Sequence, residues 1–152
     1  MVSYVPERIL PALQSGLRAF VEHSSWQELG RQWVREQGYA GALPFVPEVI
    51  GSHWSRSVQA DVVAISWWER AILIGECTWD EAPIDRQTAR DLLERTIPLT
   101  VADLPDKGAS WKVYSALFAR VGATSAARQS LAEAGGLLID LPTLFSDLAE
   151  AS

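Results

Sequence analysis

Hydrophobic and polar positions alternate most clearly in the middle of the chain, where two apolar runs flank a short break. Residues 60–66 (ADVVAIS) and 71–79 (AILIGECTW) are rich in β-branched side chains, which favours strands. The break between them, WWER, is too short for a crossover helix, so the two strands should form an antiparallel hairpin. WWER lacks the Asn-Gly chemistry of a two-residue turn, which favours a four-residue connection; either length places Asp61 opposite Glu76.

The rest of the chain shows helical spacing on both sides of this hairpin, with shorter apolar runs between. The predicted helices are residues 6–22, 25–37 (capped by Ser25 and stopped by Gly38), 84–95, 124–134 and 141–151. The other predicted strands are an edge strand over residues 45–56, a strand over 111–119 and a last strand over 137–140, and residues 97–109 are predicted to be a loop. This order of elements predicts one α/β domain built on a mixed sheet.

Composition narrows the class of protein. The chain has 152 residues, of which 48% are hydrophobic, enough for one domain with a buried core. A single cysteine, Cys77, excludes an internal disulfide framework and a cysteine-built zinc site. No apolar run is long enough to span a membrane, and the first residues lack the pattern of a signal peptide. We therefore expect a cytoplasmic protein without a membrane partner.

Charge limits the chemistry further. The net charge of −6 weighs against binding nucleic acid by bulk electrostatics. Lys107 and Lys112 are the two lysines of the chain, so a function that needs a titratable amine has few candidates. The seven tryptophans are expected to serve mainly in packing.

Two acids stand where strand residues are expected. Asp61 opens the first central strand, and Glu76 lies near the end of the second, on the face that also carries Ile72, Ile74 and Thr78. Two carboxylates that face each other repel, so a proton, an arginine or a divalent metal must offset the cost. Two carboxylates and a backbone carbonyl would suit Mg²⁺. In the alternative, one acid lies at a solvated strand end and nothing binds.

The order of these residues resembles the motif of the PD-(D/E)XK nuclease superfamily: an acid on one strand, a hairpin, and then an acid on the next strand. More narrowly, the run from IGSHW through ADVVAIS to ILIGECTW resembles the C-terminal domain of archaeal-type ATPases, a domain of unknown function that typically reads IGRWW, EIDVVA and ILFGECKW. Further similar segments are VYSALFARVGAT, LLIDLPTLF and the helical SSWQELGRQWV, so that the resemblance covers roughly residues 20–148.

The resemblance implies a restriction-endonuclease-like three-layer α/β/α fold with a central mixed sheet and an αβββαβ core. The nuclease-like domain would span residues 23–152, and residues 1–22 would form a helix that covers the core, acts as a linker or mediates a homodimer. Asp61, Glu76 and the backbone carbonyl of Cys77 would be the metal ligands, and Glu28 would be a helper residue. The implied cofactor is Mg²⁺, which a degenerate site would not need.

The sequence departs from the family motif at position 78. Thr78 replaces the lysine that would orient or deprotonate the attacking water, and residues 75–83 contain no lysine or arginine. Three hypotheses follow: a catalytically impaired module that binds DNA or regulates, an active nuclease with a displaced basic residue such as Lys112, or a protein-interaction domain. The chain has no Walker-type loop, so an ATPase domain or subunit would be a partner on another segment or chain.

Overall fold

The computed structural model describes residues 26–151, which form one five-stranded sheet with helices on both faces. The helices are α1 (Trp26–Tyr39), α2 (Arg86–Asp91), α3 (Ile97–Val101), α4 (Ser125–Glu133) and α5 (Leu141–Ala151). A π-helical turn (Leu92–Thr96) joins α2 to α3, and a short 3₁₀ turn (Pro105–Gly108) precedes the fourth strand. The strands are β1 (Val49–Trp54), β2 (Gln59–Ser66), β3 (Ala71–Thr78), β4 (Lys112–Ala119) and β5 (Leu137–Ile139).

The strands lie side by side in chain order, and the sheet is mixed. β1, β2 and β3 pair antiparallel, whereas β3, β4 and β5 pair parallel. The parallel pairings need crossovers, which α2 to α3 and then α4 supply. The predicted mixed α/β sheet and the three-layer arrangement are confirmed.

Each face of the sheet buries its own apolar cluster. On one face α1 and α5 cover a cluster centred on Val62, Leu73 and Phe118. On the other face α2, the π-helical turn and α4 cover a cluster centred on Ile72, Ile74 and Leu117. The near-continuous burial along β3 follows from its central place between β2 and β4.

The β2–β3 register was the sharpest expectation from the sequence, and it is confirmed along the paired strands. Ser66 pairs with Ala71, so the connection has four residues, and the ladder runs from there to Val62 opposite Gly75. The next pair, Asp61 with Glu76, is not part of the ladder.

A β-bulge explains why the ladder stops at that point. Asp61 and Val62 on β2 together oppose Ser52 on β1, where the β1–β2 register shifts by one residue. As a result Ala60 and Val63 pack in the same cluster, although strict alternation would put them on opposite faces. The bulge therefore turns the backbone at Asp61 away from the regular pleat.

Several predicted boundaries were wrong by a few residues, such as the edge strand, which spans Val49–Trp54 and not residues 45–56; two of the errors bear on the packing. The first helix runs past Gly38 to Tyr39. A Cβ at Gly38 would lie 2.8 Å from Cδ of Pro47, so this glycine allows close packing and does not stop the helix. The second error is the predicted loop over residues 97–109, because its first five residues form α3.

The predicted helix over residues 6–22 and the proposed domain boundary at residue 22 lie outside the described residues. None of the helices within residues 26–151 is both long and apolar enough to cross a membrane.

The central position of β3 makes a stability prediction. Leu73 is fully buried, whereas Leu137 on β5 is 38% exposed. We expect Leu73→Ala to lower the free energy of unfolding by about 2–5 kcal/mol and the matched Leu137→Ala to lower it by less than about 1 kcal/mol. Urea denaturation of both variants measures the two free energies of unfolding. Equal losses would contradict the central, buried position of Leu73.

Candidate functional site

The two predicted acids lie at the same end of the β2–β3 hairpin. Glu76 is in the last part of β3, and its neighbours two residues before and after it in the strand share its face. Asp61 is at the bulge of β2, one residue beyond the last ladder pair. Both side chains are partly buried. The structure therefore brings Asp61 and Glu76 together without forming the directly opposed pair that the register alone predicts.

Asp61 is held by contacts to β3 and to α1. One oxygen of its carboxylate, Oδ2, accepts a hydrogen bond from the backbone N–H of Cys77 at 2.9 Å. Its backbone carbonyl accepts one from Nη1 of Arg31 at 2.8 Å. Helix α1 approaches closely here because it has a glycine at position 30, where a Cβ would lie 3.2 Å from Sγ of Cys77.

The backbone of Cys77 is oriented toward Asp61. The carbonyl of the following residue, Thr78, accepts the N–H of Arg120 at the end of β4. Because successive peptide groups of a strand point to opposite sides, the N–H and carbonyl of Cys77 point toward β2. The Cys77 thiol instead packs on the α1 face, where burial raises its pKa well above the usual value.

Glu76 is held from the opposite face of the sheet. The hydroxyl of Thr96, on the π-helical turn, donates to Oε1 of Glu76 at 2.6 Å. Each acid thus has one oxygen engaged by a neutral donor, Cys77 N–H for Asp61 and the Thr96 hydroxyl for Glu76.

The electrostatics of the pair follow from this partial burial. Desolvation raises the pKa of Asp61, and the Cys77 N–H and the charge of Arg31 oppose the rise. Desolvation also raises the pKa of Glu76, while the Thr96 hydrogen bond lowers it. The negative charges of Asp61 and Asp91 add to the rise in the pKa of Glu76, whereas the charge of Arg95 opposes it.

The other predicted site residues are placed differently. Thr78 ends β3 on the Glu76 face and is partly exposed. Glu28 is exposed in the first turn of α1, one helical turn before Arg31 on the same side. The structure does not bring Lys112 to the acids, because Lys112 pairs with Ala71 at the opposite end of β3. Five residues of strand, about 16 Å, separate the two positions.

Sequence reasoning missed the cations that act on the acids. Arg31 lies beside Asp61 from α1, and the charge of Arg95 favours the ionised form of Glu76 from the other face. Arg31 occurs in the SSWQELGRQWV segment. Its hydrogen bond to the backbone of β2 depends on how α1 packs on the sheet, and no local sequence pattern predicts such a contact. Arg95 is exposed and also donates to the carbonyl of Ser57 at 3.4 Å.

An aromatic pair lies at the same end of the sheet. Arg120 stacks over the ring of Trp79, 4.6 Å from its centroid, and Trp79 contacts Trp26 at 5.3 Å between centroids. The indole N–H of Trp79 is buried without an acceptor among the described residues. These side chains place a cation and a ring surface just past the strand that carries Glu76.

The donor set fits Mg²⁺ better than a metal that needs several protein side chains. Within residues 26–151 no group of three or more histidine, cysteine, aspartate or glutamate side chains is arranged to hold a metal. Mg²⁺ needs only one or two carboxylates because waters complete its shell. Asp61, Glu76 and the Cys77 carbonyl would supply such a partial set of oxygen ligands.

The fold and the paired acids define a three-layer α/β/α domain with a carboxylate site at one end of a central hairpin. Residues 4–92, more than half of the chain, match the model of the DUF234 family, described as archaeal and bacterial proteins of unknown function. The chain therefore belongs to this family. The match includes both acids and ends before Thr96. No curated protein and no solved structure matches the chain significantly.

The raised pKa of Glu76 predicts a pH-dependent stability. The folded state binds the Glu76 proton more tightly than the unfolded state, whose pKa is near the ordinary 4.5. Ionisation therefore costs stability as the pH rises from 4.5 through the raised value. We expect Glu76→Gln, without divalent metal at pH 7, to raise the Tm by about 1–3 °C, a small effect because solvent screens a partly exposed group.

This gain should disappear as the pH falls toward the ordinary pKa of Glu76, since the wild-type side chain is then also neutral. Glu133→Gln, on an exposed residue of α4, is the matched loss of one charge and should change the Tm little. Scanning calorimetry across pH measures both, and a lower Tm for Glu76→Gln at pH 7 would contradict the account.

Proposed function

We propose that this domain is a nuclease-type module that binds Mg²⁺ and DNA but cleaves DNA poorly. The observation that carries the proposal is the juxtaposition of Asp61 and Glu76 at the end of the hairpin, with a threonine in the position of the motif lysine. The resemblance to the PD-(D/E)XK superfamily supplies the reaction class, and the geometry of the acids supports it.

The metal would be held by the second carboxylate oxygens of Asp61 and Glu76 and by the carbonyl of Cys77. When bound, Mg²⁺ lowers the pKa of a coordinated water and stabilises negative charge on a phosphate. The chain itself contributes the orientation of both carboxylates, through the Cys77 N–H and the Thr96 hydroxyl.

Efficient hydrolysis also needs a group that takes a proton from the water. Thr78 has a neutral hydroxyl and is a poor base, and guanidinium groups such as those of Arg31 and Arg95 are poor proton acceptors. Lys112 lies at the far end of the sheet, so the hypothesis of an active nuclease with this displaced lysine loses its geometric basis. Weak or absent cleavage is the consequence.

DNA binding would depend on local positive charge, because the whole chain carries −6. Arg31 and Arg120 lie at the same end of the sheet as the acids and would contact phosphates. The resemblance to a domain of archaeal-type ATPases suggests an ATPase domain or subunit as the protein partner, which the DNA-binding module would serve in a regulatory role.

Restoring the missing lysine tests the proposal. We expect wild-type protein to bind Mg²⁺ and a DNA duplex but to cleave it near background, and Thr78→Lys to gain Mg²⁺-dependent cleavage by about 10²–10⁴-fold. Glu76→Gln in the Thr78→Lys background should abolish the gain. Calorimetry, fluorescence polarisation and a gel-based cleavage assay, on single- and double-stranded DNA, measure the three properties.

Each outcome has a separate meaning. Strong cleavage by the wild type would show that another residue replaces the lysine and would contradict impaired catalysis. Thr78→Lys protein that binds Mg²⁺ and DNA without any cleavage would contradict a nuclease-type site. The Glu133→Gln variant, which loses a distant exposed charge, should behave as the wild type in every assay.

A protein-interaction role is the second candidate, favoured by exposed aromatic side chains. Trp68 at the hairpin tip is 91% exposed, Tyr39 at the end of α1 is 80% exposed and Trp54 on the edge strand is 75% exposed. Large exposed aromatics are enriched in protein interfaces. This role, including a homodimer, would be supported if neither Mg²⁺ nor DNA binds.

A further inference from the structure

The residue that contacts Glu76 from the helical face lies on an irregular turn. In Leu92–Thr96 the helix widens, and the N–H of Ile97 bonds to the carbonyl of Leu92, five residues earlier. Pro98 follows this turn. Proline has no N–H to donate to the carbonyl of Glu94, and its ring crowds that carbonyl, so a widened turn just before Pro98 relieves the clash. Such π-helical turns frequently occur at functional sites.

Thr96 departs from the usual behaviour of a helical threonine. A threonine in a helix commonly donates to the carbonyl four residues earlier, and Thr100 does so, bonding to the carbonyl of Thr96 at 2.7 Å. The hydroxyl of Thr96 instead leaves its helix and donates to Glu76 at 2.6 Å. Thr96 is only 4% exposed and Thr100 only 3% exposed, so burial does not account for the difference.

We infer that Thr96 is a positioning residue for the metal site: its hydroxyl, presented by the π-helical turn, fixes Oε1 of Glu76 and leaves the second oxygen to the cation. This inference rests on the proposed function, since it assigns the turn a role in Mg²⁺ binding. Partners that orient a ligand carboxylate contribute strongly to metal affinity.

The hydrogen bond between Thr96 and Glu76 has a competing explanation: the buried hydroxyl of Thr96 needs some acceptor, and Glu76 provides one. In that case loss of the hydroxyl would affect folding stability and leave metal binding unchanged. Thr100 provides the matched control, because it is a buried threonine one turn further along whose hydroxyl bond does not involve Glu76.

The experiment compares Thr96→Val, Thr96→Ser and Thr100→Val in the full chain. Calorimetric titration with Mg²⁺ should show affinity reduced about tenfold or more for Thr96→Val, as for other residues that orient metal ligands. Thr96→Ser, which keeps the hydroxyl, and Thr100→Val should bind nearly as the wild type does. Circular dichroism establishes that each variant is folded.

A second measurement does not need the metal. In protein carrying ¹³C-labelled glutamate, at one fixed pH and without divalent ions, the carboxyl resonance of Glu76 should move in Thr96→Val and stay in place in Thr100→Val and Thr96→Ser. The resonance of Glu76 is assigned from its absence in Glu76→Gln.

The outcomes separate this inference from the proposed function. Equal Mg²⁺ affinity in Thr96→Val and wild type, or equal losses in Thr96→Val and Thr96→Ser, would overturn the role of Thr96 while the metal site stands. Wild-type protein that does not bind Mg²⁺ would overturn the proposed function. An unmoved Glu76 resonance in Thr96→Val would then show that Thr96 does not order the carboxylate.

Discussion

The antiparallel register of β2 against β3 is the constraint on which the candidate site depends. A four-residue turn fixes that register, so the strands bring Asp61 and Glu76 to the same end of the hairpin, one residue beyond the last ladder pair. The cost of two partly buried carboxylates is visible in the raised pKa of each. The surrounding elements reduce that cost: β3 offers the Cys77 N–H, and the helices on the two faces offer Arg31 and the Thr96 hydroxyl.

Much of the fold was predictable because local sequence determines it. The alternation in β3 and in β2 from Val62 onward and the length of the turn between them are short-range features, and the structure confirms them. The bulge at Asp61 was not predictable, since it arises where β2 meets β1, and pairing between strands leaves no local signal. Pro98 suggested a loop, but the helix accommodates it after a widened turn.

In the candidate site, too, the residues set by local sequence were predictable and those brought in by packing were not. Asp61 and Glu76 come from strand spacing and were found in the sequence. Arg31 and Thr96 were not, because each reaches the site from another element and only the packing of the layers brings it there. The position of Lys112 was not predictable for a related reason: the parallel β3–β4 register, which no local pattern determines, places it opposite Ala71. Under the proposed function, Thr78 is the residue that would separate a nuclease-type fold from nuclease activity.

The proposed function requires that Asp61 and Glu76 together hold a cation. Anomalous diffraction from crystals soaked in Mn²⁺, which takes the oxygen ligands that suit Mg²⁺, would locate that cation. The account predicts one anomalous peak within about 2.0–2.3 Å of a carboxylate oxygen from each acid, with waters completing the shell. Crystals in which both carboxylates are well ordered but no peak lies between them would contradict it.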